Sequence, residues 1–185
     1  MMTGRKMLTI AIATGVFAVA GGLARSAPDK YSVAVPGGLS FAEFKGYESW
    51  PLVSISEDGG MIAAILANPA MVEAFQSGIP GNGQPFPDGA KMAKVHWMPT
   101  KLNTFPAATV PGPQHDMDFM VKDSHRFGDS GGWGYAAFEY DAATDTFTPA
   151  TTADMPPQAN DAKCGFVCHS IVKTRDYVFT SYQHR

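Results

Sequence analysis

Cysteine is nearly missing from this chain: among 185 residues only Cys164 and Cys168 carry a thiol. At most one disulfide can form, and a zinc site of four donors would have to draw on ligands far from the pair. Basic charge is scarce too, with 14 Lys and Arg against 17 Asp and Glu, a net charge of −3. No cluster of Lys and Arg offers a surface for nucleic acid or anionic membrane. Internal repeats, heptads and low-complexity tracts are absent, and no helices alternate with strands as a parallel sheet requires. The one apolar run, Leu8 to Ala20, is shorter than the ~20 residues needed to span a bilayer.

That run has a different use. Arg5 and Lys6 precede it, and the small residues Gly21, Gly22, Ala24 and Ser26 follow, which is the layout of a secretory signal. Residues 1–26 are therefore expected to be removed, with cleavage after Ala24 or Ser26, and residues 27–185 to form one exported domain. Because the leader holds Arg5, Lys6 and Arg25 and no acid, the 14 basic residues fall to 11 against 17 acidic ones, a net charge of −6.

Within that domain, Ala27 to Leu39 reads as an extended lead-in broken by Pro28, Pro36, Gly37 and Gly38. Ser40 offers a cap to a short helix carrying Phe41, Phe44 and Tyr47, which Trp50-Pro51 ends. Leu52 to Ser56 is a strand, Asp58-Gly59-Gly60 a turn, and Met61 to Leu66 an apolar run of undecided type. Asn68-Pro69 supplies the cap and first-turn proline of a second helix that Gly78 closes. After a Gly- and Pro-rich loop, Lys91 to Trp97 alternates, with Lys91, Ala93, Val95 and Trp97 on one face and Met92, Lys94 and His96 on the other. Met98 to Gln114, with four prolines, is expected to be a surface excursion. Asp116 to Lys122, facing in with Met117, Phe119 and Val121, and Trp133 to Tyr140 are further strands. Thr144-Asp145 sits in a turn before Phe147, Thr151 to Ala162 is a loop, and Asp176 to Tyr182 is expected to close the chain as a strand. The fold expected is mainly β (α+β), an antiparallel sheet with a few short helices.

The chemistry concentrates in Lys163-Cys164-Gly165-Phe166-Val167-Cys168-His169-Ser170. Two thiols can add across the two vinyl groups of a haem while the adjoining imidazole reaches the iron, so a cysteine pair followed at once by histidine reads as c-type haem attachment. The usual spacing leaves two residues between the cysteines, and here there are three. At ~100° per residue, third- and fourth-neighbour side chains both stay on one helix face, shifted along the axis by about 1.5 Å. The competing readings are a disulfide, which strains the preferred geometry between fourth neighbours on a helix, a zinc site, and a thiol redox centre, which wants the shorter spacing. Asp161, just ahead of the motif, reads as a proton acceptor or an exposed residue, and His125 and Arg126 read equally as contacts to a haem propionate or as loop surface. Met92, Met98, Met117 and Met120 could supply a second axial ligand but suit plain core equally.

Several signatures together resemble the cytochrome P-460 family, which includes the cytochromes c′-beta. They are Phe86-Pro87-Asp88-Gly89-Ala90-Lys91 running into Lys94 to Trp97, then Phe119-Met120-Val121-Lys122-Asp123-Ser124, then Gly131-Gly132-Trp133-Gly134-Tyr135, and finally Cys164 to His169 followed by Asp176-Tyr177-Val178-Phe179-Thr180. The resemblance implies a periplasmic homodimer of antiparallel sheets with one c-type haem per subunit. It makes Cys164 and Cys168 the thioether attachments and His169 the iron ligand, with the opposite side of the iron open to a small molecule. It also implies that one lysine divides the family: cross-linked to the porphyrin in members that oxidise hydroxylamine, unlinked in relatives that bind nitric oxide. Lys94 is the preferred counterpart here, with Lys91 the other strand lysine. The expected activity is hydroxylamine oxidation with electrons passed to a periplasmic acceptor, and the alternatives are nitric oxide binding and simple electron transfer.

Overall fold

The computed structural model describes residues 29–34, 38–150 and 163–183. The expected signal and its cleavage site, residues 1–26, lie outside these, as does Asp161. Six strands run β1 (Leu52–Asp58), β2 (Met61–Ala67), β3 (Lys91–Leu102), β4 (Phe105–Lys122), β5 (Trp133–Asp141) and β6 (Thr146–Pro149), with helix α1 (Pro69–Gln76) between β2 and β3 and α2 (Lys163–His169) after β6. The strands form one sheet in the order β1-β2-β3-β4-β5-β6, every neighbour antiparallel. The mainly β antiparallel class is thus observed, and the undecided run from Met61 is the second strand.

Register assigns residues to the two faces. Ala67, Met92, Met120 and Tyr135 form one cross-strand row, Ile65, Lys94, Asp118 and Ala137 the next, and Ala63, His96, Asp116 and Glu139 the one after. Side chains alternate along a strand, so these rows share a face, and Ala93, Val95, Met117, Phe119, Val121, Ala136 and Phe138 lie on the other. Phe41, Phe44 and Tyr47 cover that second face, with Phe44 stacked on Phe119 at 4.1 Å between centroids. The segment bearing them is two 3-10 turns, Phe41–Phe44 and Tyr47–Ser49, in place of the single short helix expected. Gly46, at φ 89°, breaks the run between them, a conformation glycine enters without steric cost.

The first face is covered at its Met92 end by α1, through Met71, Val72, Ala74 and Phe75, and by Phe86, Tyr177 and Val178. Asn68 caps α1 as expected, accepting the Met71 N–H at 3.1 Å, with Pro69 in the first turn. The half-buried alternation holds from Asp116 to Phe119, and beyond it, with both faces covered, Met120 and Lys122 are buried as fully as Val121.

The surface excursion expected over Met98 to Gln114 is observed, and one further expectation needs correction. Residues 98–114 are an ordered two-stranded arm in which Pro99 pairs with Pro111, Thr100 with Val110 and Lys101 with Thr109. Beyond Trp97 and Asp116 neither strand has an outer neighbour among the described residues, so prolines, which have no N–H to give, interrupt no outer ladder there. Asp176 to Tyr182 is not a strand. Asp176 and Tyr177 take φ of 49° and 64°, turning the chain out of any extended course. The Arg175 guanidinium then claims the carbonyls of Val178 at 3.2 Å and Thr180 at 3.3 Å, acceptors a neighbouring strand would have needed.

Candidate functional site

α2 carries the cysteine-histidine motif and lies on the first face, over Tyr135. Gly165 permits the approach: a Cβ at that position would stand 3.1 Å from the Cβ, Cγ and Cδ1 atoms of Tyr135. Phe166 stacks on Tyr177 at 6.0 Å between centroids. One turn later the His169 ring packs against Tyr135, 5.1 Å away, and edge-on against Phe179, 5.0 Å away. The Cys168 thiol is exposed and unpaired, and Val167, at 65 % exposure, and the half-exposed Phe179 put apolar surface beside it.

His169 has a defined hydrogen-bonding state. Its Nδ1 lies 2.6 Å from the Tyr177 carbonyl oxygen. A carbonyl only accepts, so Nδ1 carries the proton and Nε2 keeps its lone pair. Burial depresses the imidazole's proton affinity, the Tyr177 carbonyl works against this, and the positive charge of Lys94 adds to the depression. The balance favours the neutral ring, the form that binds iron, and a backbone acceptor fixing the second nitrogen is the usual support for such a ligand. The donor set, the tautomer and the apolar rim therefore fit a haem. Among the described residues no group of three or more His, Cys, Asp or Glu side chains could hold another metal ion.

The two strand lysines separate cleanly. Lys91 projects to the aromatic face, where Nζ donates to the Glu43 carbonyl at 2.5 Å and stands 5.6 Å from the Phe44 ring centroid. Lys94 is on the motif's face, one cross-strand row from Tyr135, and its charge is felt at both His169 and Asp118. Two strand spacings, about 9.6 Å, and two residues along the strand, about 6.8 Å, separate its backbone from that of Tyr135, with Met120 and Asp118 of β4 between them. Of the methionines, Met92, Met117 and Met120 are buried in the packed core and Met98 is exposed on the arm. Arg126 is not near the motif: Nη1 donates to Glu43 at 2.7 Å on the far side of the sheet.

Beyond Lys94 the motif's face is acidic. Buried His96 pairs through Nδ1 with Asp116, and Asp118 is 3.9 Å from the same nitrogen. Burial alone would push Asp116 up, but the contacts with His96 and His115 together hold it below the usual carboxylate range. Asp118 goes the other way, raised by burial and by the neighbouring Asp116 against the pull of His96 and Lys94. This cluster was not singled out from the sequence, although the strand alternation that places Lys94 also places His96.

A family model described as Cytochrome P460 matches residues 44–180. The chain belongs to the cytochrome P460 family. Haem and its iron come with that membership, as does chemistry on small nitrogen compounds. No curated protein matches the chain.

Proposed function

We propose that this cytochrome P460 is an exported, periplasmic enzyme that oxidises hydroxylamine and passes the electrons to a periplasmic acceptor, acting as a homodimer. Cys164 and Cys168 hold the haem through thioethers, each sulfur bonding a former vinyl carbon while the thiol proton goes to the other vinyl carbon. His169 binds the iron through Nε2. When bound, the haem supplies an iron position for the substrate nitrogen and takes up its electrons.

The protein's own part is proton handling and electronic tuning. Hydroxylamine must shed protons as it loses electrons, so an acceptor is needed close by. Asp118, its proton affinity raised, shares a face with Lys94 and lies next to the His96–Asp116 pair, which can take the proton onward. Asp161 remains a second candidate from its place before the motif. Lys94 is the residue proposed to join the macrocycle, its Nζ replacing one ring hydrogen as two protons and two electrons pass to a peroxide oxidant, which is reduced to water.

The observation that carries this reading is the placement of Lys94, on the same sheet face as Tyr135 and within electrostatic reach of His169, while Lys91 is tied to the opposite face. The nitric oxide reading would favour a dry, apolar surround, and Lys94, His96, Asp116 and Asp118 make this face polar. Intact mass, the ferrous optical spectrum and hydroxylamine turnover of the purified protein test the proposal together. A red-shifted Soret band, a mass showing an extra covalent bond and turnover are expected, all lost in Lys94→Ala. An ordinary c-type Soret band with tight nitric oxide binding and no turnover would move the protein to the c′-beta branch. A low-spin ferrous haem indifferent to carbon monoxide would make it an electron carrier.

A further inference from the structure

The carbonyl that fixes His169 belongs to a residue in an unfavourable backbone conformation. Asp176 and Tyr177 are consecutive non-glycine residues at positive φ, 49° and 64°, a region that costs an L-residue energy and persists only where surrounding contacts enforce it. Lys122, 6 % exposed, donates from Nζ to both Asp176 carboxylate oxygens at 2.7 and 2.9 Å and to the Gly131 carbonyl at 2.9 Å. The same Nζ stands 5.1 Å from the Trp133 ring centroid. Asp176 also accepts the Phe86 N–H at 2.8 Å. The Tyr177 ring lies so close over Gly131 that a Cβ there would overlap it, and the Tyr177 N–H is held by Val172 at 3.2 Å.

We infer that Lys122 and Asp176 are positioning residues for the iron ligand: their buried ion pair locks the turn that aims the Tyr177 carbonyl at His169 Nδ1, and so sets how much electron density the imidazole gives the iron. A short bond from Nδ1–H to a fixed acceptor raises the basicity of Nε2 and stabilises the oxidised iron. Lys122 and Asp176 are 54 positions apart and touch the ligand only through Tyr177. The inference rests on His169 holding the haem, as proposed above, and is independent of which nitrogen compound is the substrate.

The test compares the haem-loaded wild type with Asp176→Asn, Lys122→Gln, Lys122→Arg and Gly131→Ala. Asparagine tolerates positive φ and can still accept the Phe86 N–H, so Asp176→Asn removes the charge with little else. Gly131→Ala displaces the Tyr177 ring without altering any charge, and Phe119→Ala on the opposite face is the control for lost stability alone. Midpoint potential and the iron–histidine stretching frequency of the ferrous protein are the readouts. Asp176→Asn, Lys122→Gln and Gly131→Ala should favour the reduced form by about tenfold, about 59 mV for one electron, with a lower stretching frequency. Lys122→Arg should recover most of the wild-type values, and Phe119→Ala should leave both unchanged. Potentials and frequencies at wild-type values in the first three variants, whatever their melting temperatures, would overturn the inference. Should Asp176→Asn fail to fold, Gly131→Ala and the Lys122 pair decide the matter. Missing hydroxylamine turnover in the wild type would overturn the proposed function, while this inference would still be decided by the potential.

Discussion

Each central strand feeds two faces of very different chemistry. One is covered by Phe41, Phe44 and Tyr47 lying on Phe119 and Phe138, a continuous set of ring contacts whose one strand lysine, Lys91, ends on a backbone carbonyl. The other carries a buried ion pair, a buried histidine, two carboxylates with opposed proton affinities and a turn at positive φ. Hydrocarbon burial is the dominant favourable term in folding, and polar groups taken out of water return little of what they cost. The aromatic face thus holds the sheet together so that the other can keep groups poised for chemistry.

The sharpest way to break that division is to truncate the centre of the aromatic face. Phe119 touches Phe41, Phe44, Tyr47 and Phe138, so Phe119→Ala should lose about 3–5 kcal/mol in urea unfolding while the visible spectrum of the surviving folded protein stays unchanged. An altered Soret band in that variant would mean the faces are not separable. On the other face, Gly165→Leu should cost less, about 1–3 kcal/mol for an overpacked contact, because α2 can shift away from Tyr135 instead of leaving a cavity. Here the haem should suffer more than the fold, and the measurement is haem per polypeptide against melting temperature.

Why sequence reading reached one face more easily than the other follows from what carries the signal. Alternation in Lys91 to Trp97 separated Lys91 from Lys94, and Asn68-Pro69 marked α1, because strand period and helix caps are local rules. The cysteine-histidine motif is local as well. Lys122–Asp176 is not: the partners are far apart in sequence, and nothing in Asp176-Tyr177 announces positive φ, since neither residue is glycine. The same blindness made Asp176 to Tyr182 read as a strand, its apolar alternation being real while its backbone turns away. At residues 98–114 the prolines mark the surface excursion but hide its strand pairing, which an arm without outer neighbours among the described residues allows. The guanidinium of Arg126 suits a propionate and loop surface equally in the sequence, and the fold decides for the surface, with Glu43 beside it. Since Arg126 is 44 % exposed, Arg126→Ala should cost no more than about 1 kcal/mol and leave the haem spectrum and potential at wild-type values. A shifted spectrum would return it to the haem.

The smallest effect discriminates most finely within the polar face, because it asks two adjacent carboxylates to respond with opposite sign. Asp116 is held below its ordinary value, so the folded state prefers its ionised form. Its stabilising contribution is complete above the unfolded value of about 3.9 and is lost as pH falls through the depressed one. Asp118 is raised, so the folded state prefers its protonated form, and its contribution is complete below about 3.9 and lost as pH rises through the raised value. At pH 7 Asp116→Asn should therefore lower the urea midpoint and flatten the acid limb of the stability profile. Asp118→Asn should raise the midpoint at pH 7 and bring it back towards wild type near pH 3, where the native carboxyl is protonated. The size is modest, because Asp118 is 49 % exposed and solvent screens its neighbours. Midpoints moving in the same direction at pH 7 would show that the two carboxylates share one environment, and Asp118 would lose the raised proton affinity on which its proposal as proton acceptor rests.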